Sequence, residues 1–419
     1  MIANQLVINL PQTLPQPADR RIALHVTRAA ERQLRNGHPW LFADAITRQS
    51  HDGKPGDLAV VFDQKRRFLA IGLYDPTSPI RLRVLARGNP ATIDQTWFGH
   101  QLQRATQRRN VLEMDAKTTG YRLVYGENDG LPGLVIDRYA TTLVLKLYTT
   151  AWIPHLADLL AILCAEQSME RIVLRMSRNV QALSAYLYGL EEGMILVGAP
   201  ITEPLIFLEN GLRFEADPIR GQKTGFFLDQ RENRARVEQL ATGKRVLNVF
   251  AYNGGFSLYA ARGGAHAVTS LDISHQALAA AERNFALNQA QPTIAATNHH
   301  LLIGDAFSLL QQQATTGERY DLVIIDPPAF AKRKTEVSRA LSAYARLAQL
   351  GLRVLRKDGT IVLASCSSRI GAAEFVANAQ NAAQGRGQPL QIFAQTGHPL
   401  DHPVGFPEGA YLKCLYAHA

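Results

Sequence analysis

The chain has 419 residues, of which 46% are hydrophobic and 19% charged, which excludes a disordered protein and predicts two or three globular domains. Its formal net charge is +9, and residues 20–90 hold 13 Lys and Arg against 6 Asp and Glu, a local excess of +7. This concentration of positive charge favours a polyanion, RNA or DNA, as the partner of that segment. A basic surface without a partner is the alternative.

The three cysteines are Cys164, Cys366 and Cys414. Their spacing matches neither a zinc site nor a disulfide framework, so we predict no metal and a reducing compartment. Residues 1–19 lack the basic and apolar segments of a signal peptide, and they are too short an apolar stretch to span a membrane. We expect a frayed N-terminal tail and a cytoplasmic protein with no membrane partner.

Residues 20–92 predict a small β-rich domain. Short apolar segments are separated by Gly, Pro and Asp turns, a pattern typical of a small barrel. A basic helix is expected over residues 29–36. In the last strand, residues 80–85, alternation is expected to place Arg81 and Arg83 together on an open face. The candidate RNA-binding side chains of this domain are Arg32, Arg35, Arg81 and Arg83.

Two further segments complete the predicted organisation. Residues 93–196 predict a small α+β domain, with a helix over 92–114 that carries Arg104, Arg108 and Arg109 on its polar side. The pair Asn210-Gly211 predicts a β-hairpin within a linker, residues 197–218. From 219 to 419, strands alternate with helices, which predicts a doubly wound parallel sheet.

Polar residues follow successive strands of that sheet. The first strand runs into a loop with two glycines, which let the backbone approach a ligand closely. Asp272 follows 24 residues after Asn248, where an acid can bind both hydroxyls of a ribose, and Asp305 can accept an adenine amino group. Together these features predict an S-adenosylmethionine pocket. Its candidate residues are Asn248, Phe250, Tyr252, Asn253, Gly254, Gly255, Asp272, Ile273, Asp305, Ala306 and Asp326.

The catalytic candidates lie on the next two strands. Asp326-Pro327-Pro328 ends a buried apolar strand, and an acid-Pro-Pro-aromatic sequence is typical of methyltransferases that act on a base or an amide. Cys366, between Ser365 and Ser367, ends the following strand and should share the same crevice.

A thiol at this position suggests a reaction at C5 of a pyrimidine. A thiolate that adds to C6 makes C5 nucleophilic enough to take a methyl group. Asp326 would favour the addition by hydrogen bonding or protonation at N3. A cation such as Lys223 would help to keep Cys366 ionised. The base that removes the C5 proton is not identified.

Several motifs together resemble one known family. Residues 219–231, 326–330, 365–367 and 401–404 are similar to the bacterial 23S rRNA 5-methylcytosine methyltransferases, and residues 38–42 and 72–74 resemble their PUA domain. The resemblance implies an N-terminal PUA β-barrel, a small α+β middle domain and a C-terminal Rossmann-like class I methyltransferase domain. It also implies S-adenosylmethionine as cofactor, an rRNA cytosine as substrate and Cys366 as nucleophile. No second cysteine stands beside Pro327-Pro328, so this would be a one-cysteine variant.

The resemblance completes the list of expected sites and partners. We assign Gln230 and Arg231 to the cofactor site, and Lys223, Lys332 and Arg333 to RNA phosphates, with a solvated charge run as the alternative for Lys332 and Arg333. The expected domains are residues 1–19 (tail), 20–92 (PUA), 93–196 (middle), 197–218 (hairpin linker) and 219–419 (methyltransferase). The partner would be 23S rRNA or a large-subunit particle, and a homodimer is left open. Two alternatives are an rRNA guanine methyltransferase, acting at N7 or N2, and a non-catalytic RNA-binding assembly factor.

Overall fold

A computed structural model describes residues 7–331 and 333–419 of the chain. They form two compact units. The first comprises Met1–Gly211, Ala216–Leu228 and Leu400–Phe406, and the second comprises Leu212–Glu215, Asp229–Pro399 and Pro407–Ala419. Residues 219–228 and 400–406, which the sequence assigned to the methyltransferase domain, thus cluster with the first unit. The domain boundaries drawn from the sequence stay predictions.

The first unit begins with a six-stranded mixed sheet in the order β2-β6-β5-β4-β1-β3. Only β1 and β4 run parallel to each other; the other neighbours are antiparallel. The helix α1 covers Arg28–Arg35, and the Thr27 hydroxyl caps it by accepting a hydrogen bond from the Ala30 amide. The strands are β1 Ile22–Val26, β2 Trp40–Phe42, β3 Ile46–Gln49, β4 Leu58–Phe62, β5 Phe68–Tyr74 and β6 Ile80–Arg87.

A second sheet of the same unit has five strands in the order β11-β10-β9-β8-β7, with β9 and β10 parallel. Its strands are β7 Gly120–Tyr125, β8 Leu134–Tyr139, β9 Thr142–Leu147, β10 Arg171–Met176 and β11 Ile195–Val197. Its helices are α2 Gln95–Arg108, α3 Asn110–Glu113, α4 Leu156–Glu166 and α5 Arg178–Gln181. Two more strands, β12 Leu205–Glu209 and β13 Leu212–Ala216, flank Asn210 and Gly211, whose positive φ angles of 49° and 82° give the turn predicted there.

Two expectations for this unit are wrong. Arg109 is not on the polar side of one long helix: it separates α2 from α3 and is fully buried, where Asp129 binds its guanidinium at 2.7 and 2.8 Å. The described part of the N-terminal tail is not frayed either. Ile8 forms a β-bridge with Val197, because the edge strand β11 offers unpaired backbone groups there.

The second unit contains a seven-stranded sheet in the order β16-β15-β14-β17-β18-β20-β19. The strands from β16 to β18 are parallel, as expected, whereas β20 is antiparallel to both of its neighbours. The strands are β14 Arg245–Val249, β15 Ala267–Asp272, β16 Asn298–Ile303, β17 Tyr320–Ile325, β18 Leu355–Ser365, β19 Gln391–Thr396 and β20 Lys413–His418. The helices are α6 Arg231–Gln239, α7 Gly255–Arg262, α8 His275–Leu287, α9 Pro292–Ala296, α10 Ala306–Thr315, α11 Val337–Val354 and α12 Ala372–Gln384.

The order of this sheet fixes where ligands can bind. The chain builds outward from β14 to β15 and β16, and then returns to place β17 on the other side of β14. The carboxyl ends of β14 and β17 therefore border the crevice at a topological switch point, the usual ligand site of such sheets. In the part of the chain that the structure describes, no helix is both long enough and apolar enough to cross a bilayer.

Candidate functional site

The loop after β14 has a strained backbone. Phe250 and Tyr252 have positive φ angles of 62° and 50°, and Gly254 has one of 78°. Such conformations are costly for residues with a side chain and are typical of ligand sites. Gly254 also has a packing reason, because a Cβ on it would lie 2.8 Å from the Cβ of Ala281 in α8. Gly254 thus allows α8 to pack closely against the loop, in addition to any approach of the backbone to a ligand.

Asn248 lies in β14 just before this loop and is buried. Its Nδ2 donates to the Ser257 hydroxyl at 2.9 Å, whereas its Oδ1 has no hydrogen-bond partner among the described residues. A buried acceptor without a partner is costly, and a ligand that donates a hydrogen bond would satisfy it. Asn253 has a structural contact, since its carbonyl accepts from Asn284 at 2.9 Å.

Asp272 stands at the carboxyl end of β15. Its Oδ2 accepts from the Tyr252 amide at 2.8 Å, and its Oδ1 accepts from the Ser274 amide at 2.9 Å. Each carboxylate oxygen has further lone-pair capacity, so the held carboxylate can still accept from two hydroxyls.

Two isoleucines give the same strand ends an apolar surface. Ile273 is 72% exposed and Ile303, at the end of β16, is 51% exposed, although isoleucine is usually buried. Ile303 is the register partner of Asp272. It was missed by the sequence reasoning, because an exposed isoleucine cannot be recognised from the apolar pattern of a strand.

Asp305 is the N-cap of α10. Its Oδ1 accepts from the amide and the hydroxyl of Ser308, both at 2.9 Å. Ala306 is buried in the first turn of that helix. The sequence assigned Asp305 to the adenine amino group and Ala306 to the cofactor pocket, and the structure adds a capping role for the acid.

Asp326 follows β17 and is held from the side. Gln230 donates from Nε2 to its Oδ2 at 2.9 Å, and the Gln230 Oε1 accepts from Asn233 at 2.5 Å. Arg231 begins α6 and is buried. Gln230 is thus a neighbour of the predicted catalytic acid, in addition to its predicted place at the cofactor.

Cys366 directly follows β18, which neighbours β17, and its side chain is half-buried. Its Sγ lies 4.0 Å from the carbonyl oxygen of Pro327, the residue after Asp326. The two predicted catalytic residues therefore lie at adjacent strand ends, as the sequence led us to expect. Residues 366–371, the loop between β18 and α12, form the cysteine loop. In it, Ser367 donates a hydrogen bond to the Ala331 carbonyl at 3.1 Å, which connects the cysteine loop to the segment that follows Pro327.

Lys413 is a buried cation beside this loop. It begins β20 opposite Ser365, and its Nζ donates to the carbonyls of Ser367 and Ile370 at 2.5 and 2.6 Å. Burial lowers the pKa of Lys413 to about 8, an effect that the negative charge of an ionised Cys366 opposes. Sequence reasoning missed this residue and suggested Lys223, which lies in the first unit with its ammonium 4.4 Å from the Phe227 ring centroid. A lone lysine in the apolar segment of residues 412–417 was the available signal.

One of the predicted RNA-binding arginines is buried instead of exposed. Arg83 is 6% exposed, and its guanidinium binds Glu127 at 3.1 Å, so the expectation that it lies on an open face is wrong. Arg35 is exposed but binds two carboxylates, Glu31 and Asp63. Arg32 and Arg333 are exposed, Arg81 and Lys223 are partly buried, and Lys332 lies outside the described residues.

Comparison with known proteins decides the family. Residues 188–408 match the family described as S-adenosylmethionine-dependent methyltransferase, and residues 24–87 match the PUA-like domain. The chain belongs to the S-adenosylmethionine-dependent methyltransferases. A protein of Deinococcus radiodurans is described as "Ribosomal RNA large subunit methyltransferase". It is 48% identical to this chain over 406 residues, which cover 96% of this chain and 98% of the relative. The "Ribosomal RNA large subunit methyltransferase I" of Pseudoalteromonas translucida is 34% identical over 94% and 98%.

Solved structures confirm the fold of this methyltransferase. A Streptococcus mutans chain described as a SAM-dependent methyltransferase superposes with a TM-score of 0.80 at 24% identity, over 95% of this chain and 100% of that one. A methyltransferase solved in complex with SAH gives a TM-score of 0.81 at the same identity and coverage. The predicted fold class, a PUA-like N-terminal domain with a C-terminal class I methyltransferase domain, is confirmed, and so is the S-adenosylmethionine dependence.

Proposed function

We propose that this enzyme transfers a methyl group from S-adenosylmethionine to C5 of a cytosine in 23S rRNA, through a covalent bond between Cys366 and C6. The observation that carries the proposal is the position of Cys366, whose Sγ lies 4.0 Å from the Pro327 carbonyl at the end of the strand that bears Asp326. The names of the relatives support a large-subunit rRNA as substrate.

The residues at the strand ends fit the cofactor. Asp272 is held by two backbone amides and can accept from both ribose hydroxyls, and the exposed Ile273 and Ile303 provide an apolar contact for the adenine. The partnerless Oδ1 of Asn248 suits a donor such as the ammonium group of the methionine part. We assign the loop 250–255 and Asp305-Ala306 to the same pocket. When bound, S-adenosylmethionine supplies an electrophilic methyl group on its sulfonium.

Cys366 provides the nucleophile. Its thiolate forms a bond to C6, and the electron pair of the C5–C6 double bond becomes available at C5, which then takes the methyl group. The proton on C5 passes to a base, and the returning electron pair restores the double bond and expels the thiolate. The reaction therefore begins and ends with a negative charge on the sulfur of Cys366, and groups that stabilise this charge would favour it.

Two neighbours would control the charges of the reaction. The ammonium of Lys413 donates hydrogen bonds to two carbonyls of the cysteine loop. Its positive charge would favour the thiolate of Cys366 over the thiol by electrostatic attraction. Asp326, held by Gln230, would in its carboxylic acid form donate a hydrogen bond or a proton to N3 of the cytosine, which accepts it, and so favour addition at C6. Lys413 replaces Lys223 in our account of thiolate stabilisation.

The first unit would bind the RNA. Its +7 excess over residues 20–90 suits a phosphate backbone, and Arg32, Arg81, Lys223 and Arg333 stay candidate contacts, with Lys223 in the first unit and Arg333 in the second. Arg83 is withdrawn because Glu127 neutralises it. The substrate would be 23S rRNA or a large-subunit particle in the cytoplasm.

Replacement of the cysteine tests this function. Cys366→Ser should abolish 5-methylcytidine formation, because a serine hydroxyl is far less ionised than a thiol near pH 7. Binding of S-adenosylhomocysteine should persist. Cys164→Ser is the matched control, since Cys164 is also a thiol of intermediate exposure but lies in α4. Nucleoside mass spectrometry of methylated 23S rRNA gives the readout. Full activity of Cys366→Ser, or methyl groups on guanine in its place, would refute the proposal.

A further inference from the structure

A cavity of about 380 Å³ opens in the first unit, whereas the residues assigned to methyl transfer all lie in the second unit. It is bounded by the end of β6, one face of α2 and the turn of residues 128–130. This volume falls within the range of small-ligand pockets, roughly 300–1,000 Å³. The cavity is thus large enough to hold one nucleotide.

Three guanidinium groups line the cavity, those of Arg87, Arg104 and Arg108. Within residues 7–331 and 333–419, Arg87 has no carboxylate partner, and burial lowers its pKa with no acid to offset the effect. Arg104 has only a long 3.4 Å hydrogen bond to Gln101. These two arginines therefore carry positive charge that an anionic ligand would neutralise.

The one acid of the cavity does not cancel this charge. Asp129 is buried and accepts from Arg108 at 3.0 Å, from Arg109 at 2.7 and 2.8 Å, and from the Tyr125 amide at 2.7 Å. Arg108, the lining arginine that binds Asp129, offsets its single negative charge. The cavity as a whole is positive, and its positive excess comes from Arg87 and Arg104.

An aromatic ring completes the lining. Trp97 lies in the first turn of α2 and is half-buried, and its ring meets that of Phe98 edge-on at 5.6 Å, which helps to fix its orientation. A flat ring beside unpaired guanidinium groups is the combination that binds single-stranded nucleic acid, since bases stack on the ring while arginines bind phosphates.

We propose that this cavity binds one nucleotide of a single-stranded segment of the RNA substrate, with its phosphate at Arg87 and Arg104 and its base against Trp97. The inference rests on the proposed function in taking RNA as the substrate. It adds a second RNA-binding site, distinct from the site of the target cytosine at Cys366. On β6 it replaces Arg83, which is buried, with Arg87, which is exposed four residues further on.

The variants Arg87→Gln, Arg104→Gln and Trp97→Leu test the inference. Arg48→Gln is the matched control, since Arg48 is an exposed arginine on β3, which three strands of the sheet separate from β6. The probe is the tightest-binding of a set of overlapping, fluorescein-labelled 23S rRNA fragments, titrated by anisotropy at several salt concentrations. Cytidine 5′-monophosphate serves as a second probe. Thermal unfolding and S-adenosylhomocysteine binding verify that each variant is folded.

We expect each arginine variant to weaken RNA binding about tenfold at low salt. The slope of log K against log salt should become shallower by about 0.7 for each phosphate that the variant no longer neutralises. Trp97→Leu should weaken binding roughly 5- to 150-fold, the range for one stacked base. Arg48→Gln should weaken binding much less. Arg48→Gln should also methylate the RNA like the wild type, whereas the three cavity variants should need a higher RNA concentration for half-maximal methylation.

Two results would overturn the inference. Cavity variants that bind the RNA as tightly as Arg48→Gln would show that the cavity does not contact the strand. Loss of cytidine monophosphate binding without loss of RNA affinity would assign the cavity to a mononucleotide. Neither result bears on Cys366, because the base modified and the dependence on the thiol are measured separately. Conversely, absence of 5-methylcytidine would leave the RNA-binding comparison intact.

Discussion

Lys413 is a buried cation that would favour the thiolate form of Cys366, the nucleophile that we propose. Lys413 begins a strand that is antiparallel to β18, so its side chain reaches the loop that follows Cys366 and donates to two of its carbonyls. Tyr344, which accepts from Ser365 at 3.0 Å, stays protonated there, because burial raises its pKa to about 12. The ammonium is therefore the charge that we expect to act on the sulfur.

Removal of that ammonium should slow the alkylation of the Cys366 thiol. Lys413→Met is expected to reduce the rate of Cys366 alkylation by iodoacetamide about tenfold at pH 7, because only the thiolate reacts and a nearby opposite charge favours it. The pKa of Lys413 is about 8, so the wild type holds the ammonium below pH 8 and loses it above. The difference between the two proteins should therefore narrow as the pH rises through 8.

Two controls make this comparison specific. Lys413→Arg keeps the charge and should keep most of the rate at pH 7. The alkylation of Cys164, followed on the same samples by peptide mass spectrometry, should be unchanged in both variants. An equal rate for Lys413→Met and wild type at pH 7 would contradict an electrostatic role.

At the scale of elements, the loop after β14 depends on α8. Gly254 combines a positive φ of 78° with a Cβ position 2.8 Å from the Cβ of Ala281. The loop and the helix can approach this closely only because residue 254 has no side chain. The same loop donates the Tyr252 amide to Asp272, so its conformation also sets the position of the proposed ribose acceptor.

Gly254→Ala should therefore disturb both stability and cofactor binding. We expect the free energy of unfolding to fall by about 2–3 kcal/mol, through the left-handed backbone and the clash together. S-adenosylhomocysteine affinity should fall as well. Gly243→Ala isolates the backbone cost, since Gly243 has a φ of 70° with no described atom within 4 Å of its Cβ position, and should cost about 1 kcal/mol. Denaturant titration and calorimetry measure both quantities, and equal losses for the two variants would contradict the packing argument.

Elements were easier to predict from the sequence than contacts. The apolar run before Asp326 and the turn at Asn210-Gly211 are local signals, and the structure has a strand and a turn there. Arg83 was misplaced because alternation gives the face of a strand but not what covers that face, here Glu127. Arg109 was misplaced for the same reason, since Asp129 lies 20 residues away in sequence. The position of Lys413 beside the cysteine loop could not be predicted, because it depends on the pairing of β20 with β18.

At the scale of the whole molecule, positive charge and chemistry are separated along the chain. Residues 20–90 carry an excess of +7 out of a net +9, and the unit that holds them also holds the cavity with Arg87 and Arg104. The proposed cofactor pocket, Asp326 and Cys366 all lie in the second unit. Under the proposed function, such a division would let affinity for RNA depend on salt while the chemical step depends on the ionisation of one thiol.

Covalent capture tests the central claim most directly. RNA in which 5-fluorocytidine replaces cytidine should form a stable complex with the wild-type enzyme when S-adenosylmethionine is present, because a fluorine at C5 cannot leave as a proton and the thiol cannot be expelled. The complex should survive denaturing electrophoresis, and the attached peptide should contain Cys366. Cys366→Ser should give no complex, whereas Cys164→Ser should give the wild-type amount. A wild-type enzyme that methylates ordinary 23S rRNA but forms no adduct with the fluorinated RNA would contradict the account.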